Sequence, residues 1–600
     1  MSPASKSAEP APIGLLVLSL IALVLGICAG FGSVFFRAVI GLIHNVAFLG
    51  EFSFFYNANT FTPPSPWGLG VVLVPVIGAV FVNFLIVKFA PEARGHGVPE
   101  VMDAIYYNEG RIRGMVATIK SLTSALSIGT GASVGREGPI IQIGASVGSW
   151  VGQVISMAPW QRITLVAAGA GAGVAGTFNT PLGGVMFAIE MMMPEVSTRT
   201  FVPVALATGA ATFVSRAFLG IAPAFYLPQL PTLSYDSGAL VILLLYGALG
   251  IPVGIGAAAF VRGLHRAVAV FEKIPNSYLR HCVGMFGVGI MMYLLFVFFG
   301  HYYVEGVGYS TIEAVLTGAL DLAPLLVLLF FCKLGATLLS LGSGASGGVF
   351  SPSLFLGAVL GAAFGIAADS LAPGLGISPI SFAVVGMAAM VGGATGAAMT
   401  AVTMIFEMTQ NYSIVMPMII AVAISLGVRR VLSRENIYTI KLVARRHFIP
   451  KALHANMFLV RHAGEVMDRN IVVLPASTGL DQFLRQAASD NTLRHLVVTK
   501  ADKICGVQTV DAAFRHGLEK SPTDVNLGDI VKAEFAIAQE NDTIFHVLRR
   551  MHDQKADLAV VVKGTGVWTG MPSGEDVLGT ISTDQLADSV IESVLPYSSG

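Results

Sequence analysis

Residues 129–139 read GTGASVGREGP, and residues 342–352 read GSGASGGVFSP. Each is a glycine-rich turn closing on a proline, and each leads into a long apolar segment rich in Gly and Ala. The correspondence continues without a gap, setting Gly144 against Gly357, Ala145 against Ala358, Gly148 against Gly361 and Gly152 against Gly365. Further on, Gly176 falls opposite Gly393, and Glu190-Met191 opposite Glu407-Met408. Membrane helices built on small residues resemble one another through packing alone. Colinear turns, each ending in proline and each followed by matching helices, indicate instead an internal duplication.

The chemistry of such a turn is specific. Proline suits the first turn of a helix, where its missing N–H has no intrahelical partner to lose. Glycine lets backbone approach a ligand closely. A helix N-terminus offers unpaired N–H groups and the positive end of the macrodipole, a site for a negative ion that needs no full positive charge. A third candidate turn is Gly95-His96-Gly97-Val98-Pro99, followed by the helical run EVMDAIYY. Two related halves with interrupted helices at corresponding positions are how repeat-built transporters make a substrate site.

The surroundings of these turns are apolar. The 600 residues carry 36 Lys+Arg and 36 Asp+Glu, 12% charged, against roughly 25% in a soluble globular chain. Hydrophobic residues make up 54%, and the mean hydropathy is +0.73, which excludes an ordinary soluble enzyme. Residues 13–30, 71–87, 239–260, 283–300 and 323–340 are apolar runs, several long enough to span a bilayer. Regions 129–196 and 340–410 are broken every few positions by Gly, Pro, Thr, Asn or charge; irregular backbone at membrane depth survives only when buried or lining a cavity. Zero net charge without a basic stripe argues against a nucleic-acid partner. Four scattered cysteines suggest neither a disulfide framework nor a zinc site, and no other metal site is expected.

Taken together and in order, GHGVPEV (95–101), GREGP (135–139), FNTPLGGVMFAIE (178–190), GVFSP (348–352), FEMTQNYSIVMPMII (406–420) and NIYT (436–439) resemble the CLC family of chloride channels and chloride/proton exchangers. The resemblance covers nearly all of 13–448. It implies an all-α polytopic membrane domain with inverted repeats and broken helices, about 13–217 and 238–448, assembled as a homodimer with one pore per subunit. It also implies chloride or a similar anion as substrate, the lipid bilayer as surroundings, and no catalytic residue.

Position by position, Glu137 resembles the gating glutamate, able to occupy an anion position when ionised and to swing away when protonated. The anion is expected at Gly95 and His96, at backbone N–H groups around Arg136, Glu137 and Gly138, and at those of Val349, Phe350 and Ser351 in the second half. Tyr438 resembles the tyrosine whose hydroxyl points at the central ion, and Lys120 a buried lysine that raises the local anion potential. Two positions depart from the family pattern. His96 stands where a serine is usual, so selectivity and pH response cannot be copied from serine members. Met191 stands where exchangers have an inner proton-relay glutamate. Methionine holds no proton, which leans towards channel-like or uncoupled conduction, although a route past His96 or Glu190 is an alternative. Glu190 and Glu407 are expected to cap helices or line a subunit interface.

The charge pattern changes near the end: residues 449–600 hold 33 of the 72 charged residues. Lys441, Arg445 and Arg446, with Arg429, Arg430 and Arg434, place this end in the cytoplasm by the positive-inside rule, of what is expected to be a bacterial inner membrane. After an N-terminal tail (1–12), the membrane domain and a linker (449–457), an α/β duplication follows, 458–522 and 523–600. Helix LDQFLRQAAS precedes strands HLVVT and ICGVQT; helix TIFHVLRRMHD precedes DLAVVV and VLGTIS. The duplication resembles a CBS domain pair, which often binds an adenine nucleotide; Thr509, Asp511, Ser582 and Asp584 are the candidate contacts. The usual ribose-binding Asp is displaced by one residue in both units, so a structural or dimer-stabilising role is the alternative. No cofactor is required for transport. KGTGVWTGMPSGED (563–576) reads as an exposed loop. A divalent-cation transporter carrying CBS domains is the competing class, but cation pathways favour carboxylate rings, and acidic residues are few in the membrane part.

Overall fold

The computed structural model describes residues 12–221, 224–225, 239–447, 449, 460–490, 492–519, 525–564 and 571–586. Nearly all of the N-terminal tail and of the linker, and residues 565–570 of the expected loop, lie outside the described residues. The chain divides into two compact units, Met1–Ile449 and Pro450–Gly600.

The first unit is helical, and its elements recur in the same order. Helices Val98–Tyr107, Met115–Gly129, Glu137–Val154 and Pro159–Phe178 are answered by Tyr309–Leu316, Ala323–Ser343, Phe350–Leu371 and Pro379–Thr395. Among the described residues, eight helices are long and apolar enough to cross a membrane. Their outward faces carry side chains such as Leu16, Phe35, Phe213 and Phe298 at 61% exposure or more. Burying a side chain of that size is worth roughly 1.5–3 kcal/mol, so a helix surface covered in them is stable against lipid rather than water.

Glycines set the packing inside the unit, and both halves use them at matching positions. A Cβ added at Gly144 would lie 2.1 Å from the carbonyl oxygen of Gly169, and one at Gly357 would lie 2.3 Å from that of Gly386. One turn on, Gly148 abuts the carbonyl of Leu165 and Gly361 that of Phe382, at 2.3 and 2.2 Å. The helix that begins at each proline-containing turn is thereby pressed backbone to backbone against the next helix. The small-residue packing and the duplication are the same feature.

Among the described residues, the second unit contains two three-stranded sheets of identical order. In the first, β1 (Ile471–Pro475) pairs in parallel with β2 (His495–Lys500), which pairs antiparallel with β3 (Lys503–Thr509). In the second, β4 (Ala536–Gln539), β5 (Leu558–Val562) and β6 (Val577–Ser582) repeat that pattern. Alternation decides the faces. Leu496 and Val498 turn to the helices Leu480–Ser489 and Val510–Glu519, whereas Val497 joins Val560 and Val562 between the sheets. The leading segments are exchanged: Ala463 and Met467 pack into the core of β4–β6, and Leu527 and Ile530 into that of β1–β3.

Candidate functional site

Three turns meet at the centre of the first unit. Gly135 and Gly348, one from each half, exchange both backbone hydrogen bonds, at 2.7 and 2.5 Å. Gly95 bridges to Ser346, its carbonyl accepting from the Gly347 N–H at 3.3 Å. Gly138 allows the closest approach: a Cβ there would stand 2.2 Å from the His96 carbonyl oxygen and 2.9 Å from Gly348 Cα. The N-termini of the Val98–Tyr107, Glu137–Val154 and Phe350–Leu371 helices are therefore brought to one point, with Arg136 and Val349 at the caps.

The carboxylate of Glu137 sits across this junction and is 1% exposed. Its Oε2 accepts from the Ser351 N–H at 3.3 Å, and its Oε1 from the Ser351 hydroxyl at 2.5 Å and the Tyr309 hydroxyl at 2.6 Å. All three partners act as donors. The carboxylate thus stands on the N-terminal end of the second-half helix, where a free anion would meet the same groups. Phe350 and Val349 are buried beside it, with the Phe178 ring 5.3 Å from that of Phe350.

His96 is 5% exposed, with Nδ1 buried and unpartnered, and its ring lies 5.8 Å from that of the buried Tyr438. Tyr438 is held by Asn436, whose side chain accepts from the N–H groups of Tyr438 and Thr439 and so starts the short helix Thr439–Ala444. Below His96 opens a cavity of about 600 Å³, lined by Arg94, Glu100, Gln142, Lys441 and Arg445 among others. Glu100 is ion-paired with Lys441 at 2.5 Å and Arg445 at 3.3 Å.

Other expected residues are placed as follows. Lys120 is fully buried, and its ammonium donates to the carbonyls of Ala93 at 2.9 Å and Gly95 at 2.6 Å. It ties down the turn before the Val98 helix, beside the expected anion position at Gly95 and His96. Glu190 accepts from the N–H groups of Met399 and Thr400 and from the Thr400 hydroxyl; Glu407 accepts from those of Leu182 and Gly183. The two carboxylates are reciprocal helix caps, one per half. Met191 is 7% exposed in a π-type turn, Ala188–Met192, that packs against the Val98–Tyr107 and Pro159–Phe178 helices. In the second unit Thr509 accepts from the Ala512 N–H, and Ser582 exchanges hydrogen bonds with Gln585. Both cap the helix after a strand, with Asp511 and Asp584 exposed next to them.

Sequence reasoning missed Tyr309 and Lys333. A signal existed, because the offset of 213 that sets Gly144 on Gly357 also sets His96 on Tyr309 and Lys120 on Lys333. Lys333 is as buried as its mate and donates to the carbonyls of Val304 and Gly306 at 3.2 and 2.9 Å.

A family model described as voltage gated chloride channel matches residues 78–430, and a CBS domain model matches 463–511. A protein named H(+)/Cl(-) exchange transporter ClcA, from Vibrio parahaemolyticus, is 33% identical over 435 residues, 71% of this chain and 89% of that one. The structure of a slow cyanobacterial Cl-/H+ antiporter matches with TM-score 0.63 and 25% identity, over 72% of this chain and 99% of its own. A eukaryotic CLC transporter matches over 94% of this chain and 99% of its own, TM-score 0.60; at 20% identity that is a likeness of fold.

Proposed function

The chain belongs to the voltage gated chloride channel family, and from that premise we propose that it passes chloride through a pathway gated by Glu137, without obligatory proton exchange. Membership makes it a multi-pass membrane protein of anion transport with a C-terminal CBS pair, which removes the divalent-cation alternative. The observation that carries the proposal is the Glu137 carboxylate held by the backbone N–H of Ser351 and the hydroxyls of Ser351 and Tyr309. A bound carboxylate and a bound anion compete for these groups. Protonation weakens the carboxylate's hold, since a neutral acid is a poorer acceptor, and frees the amide end for chloride.

Lack of coupling is argued from Met191 and from the commitment of the Glu190 carboxylate to its cap. Proton-coupled exchange is the second reading, favoured by the exchanger name of the Vibrio relative and by His96, whose unpartnered Nδ1 borders the large cavity. We further propose a homodimer in a bacterial inner membrane with the CBS pair cytoplasmic, where an adenine nucleotide would meet Thr509, Asp511, Ser582 and Asp584. The test is simultaneous measurement of chloride and proton flux in proteoliposomes. Chloride efflux with no stoichiometric proton counterflow supports the proposal, and a constant proton-to-chloride ratio replaces it with exchange.

A further inference from the structure

Beside the large cavity below His96 there is a second, small one, and among the described residues the two share no lining residue. This one is about 20 Å³, and Arg37 and Arg136 line it with Tyr56, Ala58, Ile128 and Val307. Arg37 comes from the last third of the Leu15–His44 helix, and Arg136 is the residue before Glu137. Among the described residues, no carboxylate lines the cavity. Arg136 is 7% exposed, and its Nε is buried without a partner. Among the described residues neither guanidinium makes a hydrogen bond or an ion pair to the protein.

Two like charges facing one enclosed space repel, and each unpaired guanidinium forfeits the solvation of up to five donors. Glu305, in another small cavity that also touches Tyr56, is already paired with His44 at 2.7 Å, and the Glu137 carboxylate is taken up by Ser351 and Tyr309. The volume suits one water-sized occupant. Arg136 in turn lies 5.0 Å over the ring of Tyr309, whose hydroxyl is on Glu137.

We propose that Arg37 and Arg136 form an additional binding site for a single small anion, next to the gate and apart from the large cavity. The inference rests on the anion-transport reading and extends it. An ion held there stands beside the groups that hold Glu137, so occupancy supplies the gate with its replacement.

The probe is bromide, located by anomalous scattering in crystals of the full chain. The wild type is expected to show a peak between the two guanidinium groups, Arg37→Lys to retain it, and Arg37→Gln to lose it. Apparent bromide affinity in flux assays should fall about tenfold in Arg37→Gln, the equivalent of losing one charge-assisted hydrogen bond. Absence of the peak in the wild type, or its persistence in Arg37→Gln, overturns the site. If wild-type proteoliposomes pass chloride while crystals show no such peak, the site alone fails. A peak in a protein that passes no anion defeats the transport reading instead.

Discussion

Tyr309 donates to the same oxygen of Glu137 as Ser351 does, so the carboxylate loses one of three donors when Tyr309 becomes Phe. A hydrogen bond to a charged group is worth about 1.5–3 kcal/mol. Removing a donor loosens the carboxylate's hold on the helix end, so Tyr309→Phe is expected to pass chloride severalfold faster than the wild type in proteoliposomes. An unchanged flux separates Tyr309 from the gate. Glu137→Gln, which cannot ionise, is expected to conduct with no pH dependence from this group and no proton coupling; chloride-driven proton pumping by that variant contradicts its role. Glu137, Ser351 and His96 were legible because each sits in a motif whose glycines and proline declare a turn. Tyr309 was not: its own surroundings, GVGYS, carry no proline, and only the internal offset of 213 points to it. The Lys120 side chain was legible as buried but not as bonded, because its partners are carbonyls, which any sequence supplies.

At the scale of elements, the account rests on helices held closer than side chains permit. Gly357→Ala puts a methyl 2.3 Å from the Gly386 carbonyl oxygen, where backbone must move, whereas a Cβ at Gly209 meets nothing within 4 Å. Gly357→Ala is therefore expected to cost about 1–3 kcal/mol or more, and Gly209→Ala to leave thermal stability unchanged or raised by up to about 1 kcal/mol. Detergent-solubilised melting curves distinguish the two, and equal losses refute the packing argument. The reciprocal caps make a similar prediction: Glu407→Ala leaves the N–H groups of Leu182 and Gly183 without their acceptor and should cost about 0.5–2 kcal/mol. The paired turns and the long apolar runs could be read from composition and the internal repeat. The antiparallel exchange between Gly135 and Gly348 could not, since it joins residues 213 apart through backbone alone.

At the scale of the whole molecule, the second unit carries a pH-sensitive group of its own. In the CBS pair, His495 is 5% exposed and its Nδ1 is 3.0 Å from the Thr580 hydroxyl, across the two sheets. Burial lowers its pKa, an effect that Asp468 opposes and Arg494 reinforces. The unfolded chain therefore takes up the proton first, near pH 6.5. Stability from this group is present above that value and declines as pH falls below it towards the lower folded value. Hydrogen exchange in the full chain, corrected for intrinsic rates, should show residues 495–499 and 577–582 opening more at pH 5.5 than at 7.5, and less so in His495→Gln. The duplication in this unit was readable from strand and helix patterns, but the exchange of leading segments was not, because Ala463 and Leu527 are apolar enough to fit either core.

The most direct test of the whole is chloride titration by calorimetry on the purified protein. If helix ends from the two halves hold the anion and the Glu137 carboxylate competes for them, Glu137→Gln should bind chloride severalfold more tightly than the wild type. Equal affinity in the two proteins, or binding in neither, contradicts the account.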